Sequence, residues 1–563
     1  MLRGAVPWLI LAGATWIAIT GVLPPRAVGS DAPADEFSAE RAFVHVEAIA
    51  RQDRPIGSPG NAAARAYVVS QLGAMGAVVG LQPFTVPDYY GDGAGTIPVV
   101  NVVGLIPGTD PTGSIVLMGH YDTYPGALGA NDDATAIAAI LEAGRALMVG
   151  TPLRNDVILL LVDCEEPAPR YGSTEFVQRH PLAAEVGLVI NFEAVGGAGS
   201  SELIETSGDE GALLADYAAA DPHPVAYSYF ADLVDLLGGS DTDFTPFRDA
   251  GVPGFHFSYL HGSPIYHTPD DDPESVGLSS LQHHGSHALA LARHFGDLDL
   301  SRYRGGGDEV YFSLMGRVVI RYPAPWGVVL VLLTGALLGW SLVTGRRAHR
   351  LSLRRMAAGT GALLGLVLGV AVVSDVVWRL ILAVFWHDGG PSMTAALVVL
   401  AVLLAVVAAP AYTGHRWLTG RLGELEIETG AIVIWWLIAL VASLLLPGAG
   451  YLFVWPALAA TLATGVSTRP GFAAAGWWAR LGALALVAVP TMIMSVPVLD
   501  TLYQLGQPRP GNLDSQFLDM VAGVGLIVAL AAGLLFPHLR RALTPAPSRW
   551  PARGAEGSAL QAP

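Results

Sequence analysis

Ile158-Leu159-Leu160-Leu161-Val162-Asp163-Cys164-Glu165-Glu166 runs from five aliphatic side chains straight into a cluster of carboxylates. A short apolar run bounded by polar residues reads as a strand buried on both faces. Carboxylates at its end repel one another and resist desolvation, so they need a partner.

The same arrangement recurs on either side. Met118-Gly119-His120-Tyr121-Asp122 closes an apolar run at 114–118, and Asn191-Phe192-Glu193 ends another at 187–192. Gly129-Ala130-Asn131-Asp132-Asp133-Ala134 opens a helical pattern at 134–148, and Ile265-Tyr266-His267-Thr268 follows a run at 254–258. With a further strand at 99–106, the strands alternate with helical patterns at 39–78 (two helices, the second at 61–72), 134–148, 175–179, 211–219 and 279–294. That alternation predicts an α/β domain with helices on both faces of a sheet. In such a fold, site residues collect at strand ends. Two imidazoles and three carboxylates drawn from these clusters would suit zinc. A shared carboxylate suits two ions about 3.5–4 Å apart.

Composition adds a second part. The chain has 563 residues, 52% hydrophobic and 14% charged, against about 25% charged in soluble globular chains. Its mean hydropathy of +0.47 and its length imply several structural units, one of them in a membrane. The apolar content excludes disorder for most of the chain. One cysteine, Cys164, excludes an internal disulfide and a cysteine-rich zinc module. All 31 basic residues are arginine, a bias expected of a G+C-rich bacterial gene.

Residues 5–23 form an uncharged apolar run of bilayer length, and no small-x-small cleavage site follows, so an uncleaved anchor is expected. Further runs at 325–344, 357–383, 393–412, 430–447, 450–467, 473–497 and 517–537 predict seven more spans. Arg346, Arg347, Arg350, Arg354, Arg355, Arg416, Arg421, Arg469, Arg540, Arg541, Arg549 and Arg553 fall on alternate loops or the tail, whereas the opposite loops carry only Arg509. Arginine clusters stay cytoplasmic. The expected plan is a transmembrane anchor at 1–24, an extracytoplasmic domain at 25–322, an all-α seven-helix membrane domain at 323–540 and a disordered cytoplasmic tail at 541–563, in the cell membrane. Residues 25–322 hold 15 Arg against 39 Asp and Glu, which excludes nucleic acid as a partner.

With these motifs in this order, residues 40–297 resemble the co-catalytic two-zinc aminopeptidases, of which secreted bacterial leucyl aminopeptidases are typical and glutamate carboxypeptidase a distant relative. Gly57-Ser58-Pro59-Gly60-Asn61 and Gly239-Ser240-Asp241-Thr242-Asp243-Phe244 fit the same family. The multi-span C-terminus resembles its membrane-anchored branch, the endoplasmic-reticulum metallopeptidase type. The resemblance implies a three-layer α/β/α domain with a mixed central sheet, two Zn2+ per chain and peptide substrates. It implies that His120 and Glu193 hold one zinc, that Glu166 and His267 hold the other, and that Asp132 bridges them. Asp122 would fix the His120 ring, and Glu165 would be the general base toward a metal-bridging water. Tyr266 would face the oxyanion, with packing on the sheet edge as its plainer role. Glu193 stands where soluble members commonly have Asp.

Other readings are plainer. His283, His284 and His287 are expected on a solvated helix face, and Cys164 as a small buried residue. Asp270, Asp271 and Asp272 lack EF-hand spacing and read as an N-cap or solvated loop. Asp241 and Asp243 are expected to support the His267 loop, and Asp375 with Arg379 to neutralise each other in the membrane. Two other functions fit the same fold, glutaminyl cyclisation at a single zinc and a non-enzymatic receptor or chaperone ectodomain. Cobalt or manganese could replace zinc in a carboxylate-rich site.

Overall fold

In the computed structural model, residues 2–91, 95–166, 170–236, 241–385, 393–469, 472, 476–507 and 520–544 are described. Gly239, Ser240, Arg509, Arg549, Arg553 and nearly all of the expected tail lie outside them.

Seven strands form one sheet: β1 (Val78–Pro87), β2 (Thr96–Ile106), β3 (Ser114–His120), β4 (Asp156–Val162), β5 (Val186–Ala194), β6 (Glu202–Ser207) and β7 (Gly254–Tyr259). Their order is β1-β2-β4-β3-β5-β7-β6. The central four, β4-β3-β5-β7, are mutually parallel, and β1, β2 and β6 pair antiparallel at the edges. The sheet is therefore mixed.

Side-chain alternation along the strands builds the three layers. Ile115, Leu117, Val157, Leu159 and Leu161 enter one core with the helices Ala39–Ile49, Thr135–Val149 and Leu278–Gly296. Val116, Met118, Ile158, Leu160 and Val162 enter the other, with Phe176, Phe244 and Phe247 from the helices Tyr171–Arg179 and Phe244–Asp249. Both faces being covered explains why these strands read as unbroken apolar runs. A hairpin, β8 (Glu309–Leu314) and β9 (Val318–Pro323), leads out of the domain.

Past Pro323 the described chain is helical: Pro325–Arg347, Leu353–Phe385, Met393–Leu422, Glu424–Leu445, Tyr451–Ser467, Gly476–Leu505 and Met520–Leu543. Six of these are long and apolar enough to cross a membrane, which makes the chain a multi-pass membrane protein. Gly4–Thr20 and Tyr451–Ser467 are shorter apolar helices, so among the described residues six of the eight expected spans reach bilayer length. The large apolar residues on the outside of the bundle, such as Trp340 and Leu445, are what a lipid-facing surface carries. Arg379 Nε lies 3.0 Å from both Asp375 oxygens, the internal pair expected.

Candidate metal centre

Because β3, β4, β5 and β7 are parallel, their C-terminal ends share one edge of the sheet, and the polar clusters meet there. His120 ends β3 and Glu193 lies one residue from the end of β5. Cys164, with φ 71°, turns the chain sharply after β4 and presents Glu165 and Glu166. Asp132 lies in the irregular turn Ala130–Ala134, just before the helix Thr135–Val149. His267 follows β7, also in the left-handed region at φ 60°.

The donors fall into two triads that share one residue. His120, Asp132 and Glu193 form the first and Asp132, Glu166 and His267 the second, with the donor atoms of each within 4.8 Å of one another. His120 Nε2 is 3.2 Å from Asp132 Oδ1 and 3.4 Å from Glu193 Oε2. His267 Nε2 is 3.3 Å from Asp132 Oδ2 and 3.0 Å from Glu166 Oε2. Asp132 thus turns one oxygen to each triad. Two ligand atoms at bond lengths of roughly 2.0–2.1 Å and a tetrahedral angle lie about 3.3 Å apart, so these separations suit a shared ion. Glu166 Oε1 is buried without a hydrogen-bond partner, as an atom reserved for a cation would be.

The charges give the same account. Burial, then the Asp132 charge, pushes Glu166 up to about 8. Burial also raises Glu193 and lifts Glu165 far above the usual carboxylate range. Burial alone would lower both histidines. The charge on Glu193 and the Asp132 and Glu193 oxygens against its Nε2 instead carry His120 well up, and the Asp132 and Glu166 oxygens against its Nε2 carry His267 up to about 10. Crowded, desolvated carboxylates that hold protons this tightly are what a divalent cation relieves.

The supporting shell was only partly foreseen. Asp122, fully buried, accepts the Glu165 N–H at Oδ1 and the Glu166 N–H at Oδ2, both at 3.1 Å. Its Oδ1 is 3.6 Å from His120 Nδ1, too long for a hydrogen bond. Its side chain grips chiefly the Glu165–Glu166 backbone, while its carbonyl oxygen, 3.3 Å from His120 Nδ1, meets the ring it is expected to fix. Asp133 accepts the His120 N–H at 3.1 Å, and Asp163 accepts from Asn61, Val100 and Tyr121. Tyr266 stacks on the His267 ring with centroids 3.7 Å apart, and Tyr124 stacks on that ring at 4.8 Å.

Three expectations change. His283, His284 and His287 are fully buried rather than solvated. Each pairs with groups far away in sequence: His283 Nδ1 accepts the Ser201 N–H at 3.0 Å, His284 Nε2 is 3.0 Å from the Glu193 carbonyl, and His287 Nδ1 is 2.7 Å from Asp221. Asp271 is also buried, and accepts from Asn131 N–H, Asn131 Nδ2 and Asp132 N–H at 2.8–3.1 Å. Only Asp272 is the expected N-cap, accepting from Ser275 N–H, while Asp270 is exposed. Asp241 pairs with Arg170, and Asp243 is buried where His120 and Glu193 act on its charge; among the described residues, neither is seen to bond the His267 loop. Cys164 is buried, as expected, and burial pushes its thiol up and away from reactivity.

Arg54 went unnoticed. It is fully buried and donates to the carbonyls of Tyr121, Leu128 and Gly129, bracing the loops that carry Asp122 and Asp132. Its position at the head of the turn-rich segment 54–60 was the available signal.

Residues 101–292 match the model of peptidase family M28. The chain is 30% identical over 309 residues to mouse endoplasmic reticulum metallopeptidase 1, covering 53% of this chain and 34% of that protein. It is 30% identical over 220 residues to the vacuolar membrane protease of Candida dubliniensis, covering 38% of this chain and 23% of that one. Against an aminopeptidase from Aneurinibacillus sp. strain AM-1 the TM-score is 0.38 at 15% identity, covering 46% of this chain and 95% of that one. This chain spans about a third or less of the length of the two relatives named first, both of them eukaryotic. Its two donor triads, at the end of a mixed sheet beside a helical membrane domain, lie within the residues that match the model of peptidase family M28.

Proposed function

We propose that this chain is a membrane-bound zinc peptidase of aminopeptidase type, holding two zinc ions through His120, Asp132, Glu166, Glu193 and His267. The observation that carries this reading is Asp132, whose two carboxylate oxygens are divided between two donor sets. Zinc bound there supplies a Lewis acid for the scissile carbonyl and lowers the pKa of water toward neutrality.

The protein's own residues do the rest. Glu165 takes the proton from the attacking water and returns it to the leaving amine. Burial, which holds its pKa well up, makes it a competent donor in the second half of that exchange. Asp122 keeps Glu165 in place through its backbone. Tyr266, beside His267, faces the developing oxyanion. Site carboxylates left over from metal binding receive a free α-amino group, which gives exopeptidase action.

The arginine-rich loops favour an arrangement in the cell membrane with residues 25–322 outside the cytoplasm and the tail at 541–563 inside, with 1–24 as an anchor and 323–540 as the membrane domain. Substrates are then extracytoplasmic peptides.

The test is Glu165→Gln in the full chain in detergent, assayed for free-amine release from a peptide library with zinc counted per chain. Release should fall about a hundred- to ten-thousand-fold with the metal retained. Release that survives a chelator, or persists unchanged in the variant, refutes the proposal. One zinc per chain with pyroglutamate formation would instead favour the cyclase.

A further inference from the structure

The loop that carries His267 is tied to the membrane domain. His261, two residues past β7, places Nε2 2.7 Å from Asp500 Oδ2, in the last turns of the helix Gly476–Leu505. Ser263, fully buried, donates to the Gln504 carbonyl at 2.9 Å. On the same helix, Gln504 Nε2 is 3.3 Å from Asp500 Oδ1. Glu202, buried beside the pair, is pushed up to about 8 by burial and then by the Asp500 charge.

From these two anchors the chain runs without slack to the ligand. Ser263–Ile265 is a 3-10 turn, and Tyr266 N–H donates back to the Ser263 carbonyl at 3.1 Å. Thr268 closes on the Ile265 carbonyl through both its N–H and its hydroxyl, and Asp271 N–H reaches the Thr268 carbonyl. Between these fixed points His267 keeps its left-handed backbone, which a residue other than glycine holds only when its surroundings impose it. The surface beneath is packed like a core. Phe312 stacks on Tyr451 at 4.8 Å, and Tyr229 meets Thr501 at 2.6 Å in a cluster that also buries Met494 and Val498.

We propose that Asp500 and the Gln504 carbonyl are positioning groups for the metal centre: the helix Gly476–Leu505 holds the His267 loop in its ligating conformation, so one task of the membrane domain is to complete the peptidase site. This rests on the two-zinc reading above. A charge at a membrane helix end, otherwise costly, then has a function.

The test uses the full chain in detergent, with Asp500→Asn and Ser263→Ala as independent variants that each cut one anchor. Tyr229→Phe is the control, since it cuts a bond of the same interface and helix that does not lead to His267. Zinc is titrated against a competing chelator, and kcat and KM are measured separately. Asp500→Asn and Ser263→Ala should each weaken the zinc held by Glu166 and His267 about tenfold. They should also lower kcat at unchanged KM, while Tyr229→Phe matches the wild type. Wild-type zinc curves in both anchor variants, or an equal loss in Tyr229→Phe, overturn the proposal while the two-zinc reading stands. A wild-type chain that takes up no zinc overturns both.

Discussion

Asp122→Asn separates two accounts of a buried carboxylate. If Asp122 acts chiefly on the His120 ring, the variant should weaken the ion held by His120 and Glu193. The contacts indicate the opposite, because Asp122 binds the N–H groups of Glu165 and Glu166 at 3.1 Å and stands 3.6 Å from His120 Nδ1. An amide has one oxygen. It retains most by turning that oxygen to Glu165 and His120, which sets its NH2 against the Glu166 N–H. The loss is one hydrogen bond to a charged acceptor, about 1.5–3 kcal/mol, with a buried N–H left facing another donor. At about 1.4 kcal/mol per decade, this weakens the ion held by Glu166 and His267 roughly ten- to a hundredfold. Chelator competition on the full chain measures that change, and the double variant with His267→Gln assigns it. Once His267→Gln has removed that ion, Asp122→Asn should leave the affinity of the remaining one unchanged within about twofold, as expected of uncoupled sites. A further tenfold loss for the His120 ion in that background would refute the reasoning.

Other perturbations test the frame around the site. A Cβ on Gly285 would lie 1.9 Å from the Phe37 ring, so Gly285→Ala should cost about 1–3 kcal/mol and lower the thermal midpoint, and an unchanged midpoint contradicts the packing. Asp271→Asn sets an amide NH2 against a backbone N–H of Asn131 or Asp132. It should weaken both zinc ions together in the chelator titration, since Asp132 serves both. Burial holds the His256 pKa down at about 3, so between pH 6.5 and 3 the unfolded chain takes up a proton there that the folded chain refuses. The stabilisation by His256 is therefore present above pH 6.5 and lost as the pH falls, by at most about 1.4 kcal/mol per unit. His256→Gln removes this dependence, so the gap in thermal midpoint between wild type and variant should narrow on acidification, and a constant gap refutes the shift.

What could be read beforehand divides along the range of the interactions. The central strands were legible because burial on both faces leaves a local mark, an unbroken aliphatic run such as Leu159-Leu160-Leu161. The donors His120, Glu166 and Glu193 were legible for the same reason, lying at or just past such runs. The edge strand Val78–Pro87 left no such mark, since it is mostly exposed and carries Gly80 and Pro83. Asp271 was hidden differently: its partner Asp132 lies 139 residues away, so nothing in its neighbourhood separates it from the solvated Asp270. His283, His284 and His287 of the helix Leu278–Gly296 resemble any polar stripe until Ser201, 82 to 86 residues back, is placed against them.

The bond between His261 and Asp500 spans 239 residues and joins two parts that composition alone would separate as soluble and membrane-embedded. A boundary drawn from hydropathy at residue 323 cuts through that joint, because hydropathy records the solvent a segment prefers and not the contacts it makes. If the helix Gly476–Leu505 does set the His267 loop, residues 25–322 expressed alone would keep the His120, Asp132 and Glu193 donors on their strand and turn but lose the two anchors of the second triad. Such a fragment should then bind its first zinc like the full chain and its second about tenfold more weakly. Equal binding of both ions by fragment and full chain would show that the loop holds itself.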